Sequence, residues 1–112
     1  MSCIFCAIGQ GSIPAEKLYD NEAVFVIADI HPKAKVHLLV IPKQHIVTFN
    51  DFTPVTYGSM ASVAEAIANV TQRLGIAKSG YKVIANNGSD GGQAVPHLHF
   101  HILGGEPVQG IT

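Results

Sequence analysis

The sequence predicts an α+β fold, a five-stranded antiparallel sheet with one long helix and a short N-terminal helix. Short segments rich in β-branched residues recur along the chain, and most are joined without crossover helices, so neighbouring strands are expected to be antiparallel. One long segment has the apolar periodicity of a helix. Hydrophobic residues make up 47% of the 112 residues and charged residues only 13%, which suits one domain over 1–112 with its own core.

Four segments have the β-branched and aromatic composition of strands: 17–19, 23–28, 36–41 and 81–85. The fifth predicted strand is 97–103, where His97, His99 and His101 alternate with large apolar residues. Because strand side chains point to alternate faces, the three imidazoles should share one face, about 6.6 Å apart. The apolar residues between them should face the core.

Two helices are predicted. Residues 3–8 form a short apolar segment of one or two helical turns. The long helix is predicted to begin with Thr53 as N-cap and to end with Gly75 at C′. Its apolar residues recur every three or four positions, at Met60, Val63, Ile67, Val70 and Leu74. We interpret a second strip, Ala61, Ala64 and Ala68, as core packing in preference to a dimer seam.

Composition also limits the partners of the chain. Seven basic and eight acidic residues give a net charge of -1, and no basic run occurs, which argues against a polymeric nucleic acid but not against a single nucleotide. No apolar run approaches the ~20 residues that span a bilayer, and no secretory signal pattern begins the sequence. We therefore expect a cytoplasmic protein without a membrane partner.

Three alternating histidines beside a glycine-rich loop favour a functional site, and two chemistries are open. Imidazoles two residues apart can bind zinc together. Alternatively, one imidazole acts as a nucleophile while the others orient it or handle protons. Crowded imidazoles repel each other's positive charge, so we expect this set to resist protonation near neutral pH.

Two further features adjoin the histidines. The loop 86–93 can turn backbone N–H groups toward an anion, because its glycines carry no Cβ. A phosphate bound there would also contact the histidines that follow. His37 is the only polar residue of segment 36–41, and it could point into the same site if the two strands are neighbours. A buried histidine with one hydrogen bond is the equal alternative.

Cys3 and Cys6 form a C-x-x-C motif, which supplies half of a tetrahedral zinc site. His45 and one histidine of the triplet are the available candidates for the other two ligands. A redox pair is the less favoured interpretation, because the flanking sequence lacks the strand-to-helix context of a thioredoxin motif.

At this point several motifs, in order and over nearly the whole chain, resemble a known family. The segment from His97 to Leu103 has the histidine-triad pattern H-φ-H-φ-H-φ-φ, followed by Gly-Gly. C-I-F-C at 3–6, I-P-A at 13–15, D-I at 29–30, H-L-L-V-I-P-K-Q-H at 37–45 and G-S-D-G-G-Q at 88–93 match as well. The chain is similar to histidine-triad nucleotide-binding proteins.

This resemblance implies a HIT-like fold and a homodimer whose five-stranded sheets join across the two-fold axis. It implies hydrolysis of a purine nucleoside 5′-phosphoramidate, or a related nucleotidyl ester, at the α-phosphorus. His99 would be the nucleophile that forms a nucleotidyl-histidine intermediate. His101 would contact the scissile phosphate, and His37 would assist it.

The resemblance also implies the binding residues. Asn86 and the backbone of Gly92, Gln93 and Ala94 would hold the phosphate, together with His99 and His101. Asp29 would meet the ribose hydroxyls, and Phe5, Ile8 and Ile30 would flank the base. In zinc-carrying relatives the ligands correspond to Cys3, Cys6, His45 and His97, a structural site that the chemistry does not require.

Two departures leave alternatives open. Ala94 stands where many relatives have Ser or Thr near the scissile phosphate, and the aromatic C-terminal segment of better-known members has no counterpart after Gly105. The alternatives are a dinucleoside-polyphosphate hydrolase of the same superfamily, a triad that coordinates a catalytic metal, and a nucleotide-sensing module with vestigial catalysis.

Overall fold

The computed structural model describes residues 3–110 and contains the predicted sheet. Five strands are hydrogen-bonded in the order β1-β2-β3-β5-β4, and every neighbouring pair is antiparallel. Their bounds are β1 Tyr19–Asp20, β2 Val24–Ala28, β3 Val36–Pro42, β4 Tyr81–Ile84 and β5 Phe100–Gly104. The α+β prediction is confirmed. β3 and β5 lie side by side inside the sheet, while β1 and β4 form its edges.

Three α-helices accompany the sheet: α1 Ile4–Gly9, α2 Tyr57–Arg73 and α3 Ile76–Ser79, with a short 3-10 turn at Phe49–Asp51. The short N-terminal helix is thus confirmed. The predicted start of the long helix is wrong, because Thr53 and Thr56 form a turn in which the Thr53 carbonyl accepts a 2.8 Å bond from the Thr56 N–H. Thr56 is the N-cap instead. Gly75 follows the helix with a φ of 76°, as predicted for C′.

Helix α2 packs on one face of the sheet. Its buried residues are Val63, Ala66, Val70 and Thr71, and the core that they join contains Val24, Val26, Leu38, Val40, Phe100 and Ile102. Met60 and Ile67 pack at the margin of this core, as predicted. Leu74 is largely exposed, and so is the whole alanine strip, Ala61, Ala64 and Ala68. The core-packing interpretation of that strip was therefore wrong within one protomer, because the buried stripe is centred on Ala66.

The opposite face of the sheet is covered by α1. Phe5 and Ile8 of this helix form a second core with Phe25, Leu39 and Ile41. β3 is consequently buried on both faces, which explains its nearly continuous run of apolar residues. His37 alternates with Leu38 and therefore lies on the α1 side, the face opposite the α2 core.

The histidine segment is only partly a strand. β5 begins at Phe100, so His97 and His99 precede it, and the predicted start of this strand at His97 is wrong. The His97 N–H bonds to the nearby Val95 carbonyl at 2.8 Å, and the Leu98 N–H donates to Ile46 at 2.6 Å, outside the β-ladder. The alternation of side chains persists nevertheless, since Leu98, Phe100 and Ile102 all lie in the α2 core.

Within residues 3–110, none of the helices combines the length and the apolar character needed to cross a bilayer.

Candidate functional site

The side chain of His99 is held in one tautomer. Its Nδ1 lies 2.8 Å from the carbonyl oxygen of His97. A carbonyl can only accept, so Nδ1 carries the proton and donates it. Nε2 of the neutral ring therefore has a free lone pair, which is the form that a nucleophile requires. The residue is buried, and the edge of the Phe5 ring packs against it with ring centroids 5.2 Å apart.

His37 and His101 form a hydrogen-bonded pair across the β3–β5 ladder. The Lys33 N–H donates to Nδ1 of His37 at 3.0 Å, so the proton of neutral His37 is on Nε2. This Nε2 lies 3.0 Å from Nδ1 of His101. When His37 donates to that atom, His101 must carry its own proton on Nε2. His99 and His101 lie with ring centroids 5.1 Å apart, one with a free Nε2 and the other with a protonated Nε2.

Asp29 is the third member of this group. One of its carboxylate oxygens, Oδ2, lies 3.2 Å from Nε2 of His37 and 3.9 Å from Nδ1 of His101. The other oxygen, Oδ1, accepts a 2.8 Å bond from the His31 N–H. The sequence offered no sign of this contact, because no periodic pattern links Asp29 to residues 8 and 72 positions away.

Burial keeps the histidine pair neutral. The pKa of His101 is lowered from 6.5 to about 4, chiefly by burial and also by His99, His37 and Lys33, against an opposing effect of Asp29. Burial likewise lowers the pKa of His37, again against the effect of Asp29. For His101 this agrees with the expectation that crowded imidazoles resist protonation near neutral pH.

A small cavity adjoins this group and is lined by Lys33, His37, Ile84, Asn86 and His101. It places Asn86 beside His37 and His101. Lys33 was not singled out from the sequence, although its amide fixes the tautomer of His37. A lysine that follows a proline in a loop gives no signal of such a role.

The glycine-rich loop is pre-organised by its own side chains. Oε1 of Gln93 accepts from the Gly88 N–H at 2.8 Å, and its Nε2 donates to the Val47 carbonyl at 2.6 Å. Gly91 has no room for a side chain, since a Cβ there would lie 2.4 Å from the carbonyl oxygen of Asn87. The backbone braces the loop as well, since the Gln93 N–H donates to the Gly88 carbonyl and the Gly92 N–H to the Ser89 carbonyl, both at 3.0 Å.

The remaining candidate nucleotide residues are dispersed. Phe5 contacts the rings of both His97 and His99 edge-on. Ile8 is buried in the α1 core, whereas Ile30 is 85% exposed. Ala94 is exposed and lines an open groove of about 1000 Å³, which also borders Cys3 and His45.

Cys3, Cys6, His45 and His97 form a cluster with the geometry of a metal centre. Nδ1 of His97 lies 3.3 Å from Sγ of Cys3, 3.5 Å from Sγ of Cys6 and 3.2 Å from Nδ1 of His45. Ligand atoms at Zn–N ~2.0–2.1 Å and Zn–S ~2.3 Å in a tetrahedron stand about 3.3–3.8 Å apart. The cluster therefore fits Zn²⁺.

The ring of His97 is in the tautomer that a metal requires. Its Nε2 donates to the carbonyl of Pro42 at 2.7 Å, which leaves the lone pair on Nδ1 directed at the cysteines. The three triad imidazoles thus do not converge on one metal. His97 faces the cysteines, whereas His101 faces His37.

A second set of donors, Asp29, His37 and His101, is also close enough to surround an ion. The Lys33 amide argues against this use, because a proton on Nε2 of His37 occupies the lone pair that a metal would need. We assign no metal to this group.

The comparisons with known proteins agree with this architecture. The family model of the HIT domain matches residues 10–108. A HIT-like protein of Helicobacter pylori (strain ATCC 700392 / 26695) is 50% identical over 103 residues, covering 92% of this chain and 96% of the relative.

Two solved structures are similar as well. A HIT family hydrolase from Legionella pneumophila Philadelphia 1 superposes with a TM-score of 0.92 at 38% identity, covering 96% of each chain. A Zn-bound histidine triad family protein from Mycobacterium smegmatis has a TM-score of 0.76 at 39% identity, covering 93% of this chain and 75% of that one. The chain therefore belongs to the HIT family and has the fold of a HIT family hydrolase.

Proposed function

We propose that this chain is a nucleotide-binding hydrolase that cleaves purine nucleoside 5′-phosphoramidates through a nucleotidyl intermediate on His99. The observation that carries the proposal is the pair of fixed tautomers. The bond to the His97 carbonyl leaves the lone pair on Nε2 of His99 free. The hydrogen bonds from Lys33 to His37 and from His37 to His101 place the proton of His101 on its Nε2. A nucleophile and a proton donor thus stand side by side before any substrate arrives.

In the first step, Nε2 of His99 attacks the α-phosphorus and the bond from phosphorus to the leaving nitrogen breaks. The bound anionic phosphate favours a proton on the His37–His101 pair, and His101 gives that proton to the leaving amine. The intermediate is an Nε2-nucleotidyl imidazolium whose Nδ1–H still donates to the His97 carbonyl. This carbonyl stabilises the positive charge of the ring.

In the second step, a water molecule attacks the phosphorus of the intermediate. His101 takes the proton of the water, and the bond between phosphorus and Nε2 of His99 breaks. The nucleoside monophosphate leaves with the oxygen of the water. Both histidines return to their starting states, so one water molecule is consumed for each P–N bond broken.

The binding residues follow from the same assignment. We place the phosphate on Asn86 and on the backbone of residues 92–94, because the loop braced by Gln93 carries no bulky side chain at Gly92 or Ala94. The Gly92 and Gln93 N–H groups donate within the loop, so we assign the Ala94 N–H as the backbone donor to the phosphate. The base lies against Phe5, with Ile8 behind it in the core and Ile30 at the exposed rim. Asp29 is placed at the ribose hydroxyls.

We also propose that the Cys3–Cys6–His45–His97 cluster holds a structural Zn²⁺, which would fasten α1 to the histidine segment. With four protein ligands the ion has no open position for a substrate. The chemistry therefore does not depend on it directly. Free cysteines at such a site suit a reducing compartment, which is why we place the protein in the cytoplasm.

The proposed assembly is a homodimer. β4 is an edge strand whose Tyr81 and Val83 are 40% and 45% exposed, and the alanine strip of α2 is exposed as well. An unpaired, partly apolar edge is a template for pairing with another strand. Antiparallel pairing of two β4 strands across a two-fold axis would join the two sheets.

The test is hydrolysis of adenosine 5′-phosphoramidate by the wild type, by His99→Ala and by His31→Ala, each with and without EDTA. We expect turnover by the wild type and by His31→Ala. The latter is the control, since it also removes one imidazole, but an exposed one. We expect no turnover by His99→Ala, which should still bind AMP in calorimetry.

Three outcomes would contradict the proposal in different ways. Equal loss of turnover and AMP binding in His99→Ala would mean that the residue is needed for the fold of the site. Immediate loss of turnover in EDTA would favour a catalytic metal. Binding of AMP without turnover of any phosphoramidate would favour a sensing module, for which Ala94 is the motivating departure.

A further inference from the structure

We propose that Asp29 is a positioning residue for the proton donor: its carboxylate holds the His37–His101 pair in register whether or not a ribose is bound. This inference rests on the proposed function and assigns Asp29 a task beyond contact with the sugar. It concerns the transfer of a proton to the leaving group.

The backbone and the side chain of Asp29 are both fixed. The residue directly follows β2, and its N–H donates to the carbonyl of His37 at 2.9 Å. Oδ1 accepts the His31 N–H at 2.8 Å, which sets the rotation of the carboxylate. Oδ2 is thereby aimed at the two imidazoles, and the side chain is only 17% exposed.

Nε2 of His37 has two acceptors within reach. They are Nδ1 of His101 at 3.0 Å and Oδ2 of Asp29 at 3.2 Å. A neutral pair of histidines needs only the first of these. The second acceptor is needed only when the pair carries an extra proton.

The protonated pair would otherwise contain a conflict. Because Lys33 keeps the proton of His37 on Nε2, an imidazolium at His101 would point its Nδ1–H at the Nε2–H of His37. Two donors 3.0 Å apart repel each other. Oδ2 of Asp29 can accept the His37 proton instead and lies 3.9 Å from Nδ1 of His101, so it relieves the conflict and neutralises the added charge.

The other groups that face His101 act in the opposite direction. His99, His37 and Lys33 all disfavour a positive charge there, as burial does, and Asp29 is the one that favours it. Without this carboxylate, the pair would lose the group that lets it hold a proton for the leaving amine.

The experiment separates this role from contact with the ribose. Asp29→Asn keeps the size of the side chain and leaves Oδ1 able to accept the His31 N–H. Its kcat is measured on adenosine 5′-phosphoramidate and on the 2′,3′-dideoxy analogue. The control is Asp20→Asn, which also removes one carboxylate, on the edge strand β1.

We expect Asp29→Asn to lower kcat about 100-fold on both substrates, within the range of general acid catalysis. On an adenylyl p-nitrophenyl ester, whose leaving group needs no proton, the loss should be less than about 5-fold. A loss confined to the substrate with ribose hydroxyls would overturn the inference, since the carboxylate would then act through the sugar. An equal loss on the p-nitrophenyl ester would also overturn it.

A measurement on the free protein keeps the inference testable if the wild type turns over neither phosphoramidate. The pKa of His101, followed by its imidazole ¹⁵N signals, should be lower in Asp29→Asn than in the wild type. An unchanged pKa would contradict the positioning role. The proposed function fails on the turnover of the wild type alone, so the two failures are distinguishable.

Discussion

The carbonyl oxygen of His97 lies 2.8 Å from Nδ1 of His99, while Nδ1 of the His97 ring lies 3.3 Å from Sγ of Cys3. One residue therefore joins the metal-type cluster to the proposed nucleophile. The ring of Phe5, which stands between the two cysteines in sequence, contacts both histidines edge-on. The cluster and the proposed nucleophile are thus linked through His97 and Phe5.

Zinc should stabilise the fold more than it affects the chemistry. Structural zinc sites have apparent binding energies on the order of 10 kcal/mol, and a ligand at 1,000 times its Kd raises stability by ~4 kcal/mol. We expect EDTA dialysis to lower Tm by roughly 15–20 °C, measured by calorimetry alongside the zinc content.

The variant Cys6→Ser provides the comparison for that experiment. It should lack zinc, and EDTA should not change its Tm further, whereas His31→Ala should retain zinc and respond as the wild type does. A Tm of the wild type that ignores EDTA would contradict a structural ion.

Acid should destabilise the fold through its neutral histidines. The pKa of His101 falls from 6.5 to about 4 on folding, so the unfolded chain binds more protons between these values. The free energy of unfolding should be constant above about pH 6.5 and should decrease as pH falls towards 4, by roughly 3 kcal/mol for this residue.

Urea unfolding of metal-free protein at pH 7.5, 5.5 and 4.5 measures this dependence at a fixed protein concentration. In His101→Asn the decrease should be smaller, with the remainder due in part to His37, whose pKa is also lowered. An identical slope in the variant would show that His101 is protonated alike in both states.

A hydroxyl at position 94 should raise the rate. Ala94 offers no side-chain donor near the proposed phosphate loop, and one preorganised donor to a developing anion contributes on the order of 3 kcal/mol in favourable cases. We expect Ala94→Thr to raise kcat/KM for the phosphoramidate about 10-fold. Ala94→Val, which has the same shape without the hydroxyl, should not do so, and a gain in both variants would point to packing.

The β4 edge should hold the dimer. Replacing Tyr81 and Val83 together by Asp places like charges on an edge that the proposal pairs with itself. We expect the mass measured by light scattering to fall from dimer to monomer at micromolar concentration. Val55→Asp, at a side chain 91% exposed and away from this edge, should leave the mass unchanged.

The glycine loop should not tolerate a side chain at position 91. A Cβ there would lie 2.4 Å from the carbonyl oxygen of Asn87, so the backbone must shift. We expect Gly91→Ala to raise KM about 10-fold and to cost roughly 1–3 kcal/mol of stability. Gly58→Ala is the control, since nothing lies within 4 Å of its Cβ and alanine favours the helix. Unchanged KM in Gly91→Ala would remove the loop from the site.

Local patterns predicted the sheet, α1 and α2, but not α3 and not all limits of the elements. β2 and β3 were found because β-branched residues fill them and turns bound them. Thr53-Pro54 has the composition of a helix start, yet the hydrogen bonds between Thr53 and Thr56 form a separate turn first. The competing turn cannot be recognised from composition, since both arrangements use the same residue types.

The site was predicted unevenly for a similar reason. The alternation of His97, His99 and His101 predicted a functional site, and the C-x-x-C motif predicted half of a metal site. The Asp29 carboxylate and the Lys33 amide were not predicted as partners of His37, because such contacts depend on how a loop folds back onto a strand. A backbone N–H carries no sequence signal at all.

The two halves of the proposed proton-donor pair come from distant parts of the chain. His37 and His101 are 64 residues apart, and they meet only when β3 and β5 pair. Closing so long a loop costs entropy before the hydrogen bonds between β3 and β5 form, and this cost slows the folding of sheets with non-local pairing. The imidazoles of the pair cannot be assembled before this event. Recovery of catalytic activity during refolding would therefore time the closure of the central ladder, and a nascent chain released before residue 100 would have no site to recover.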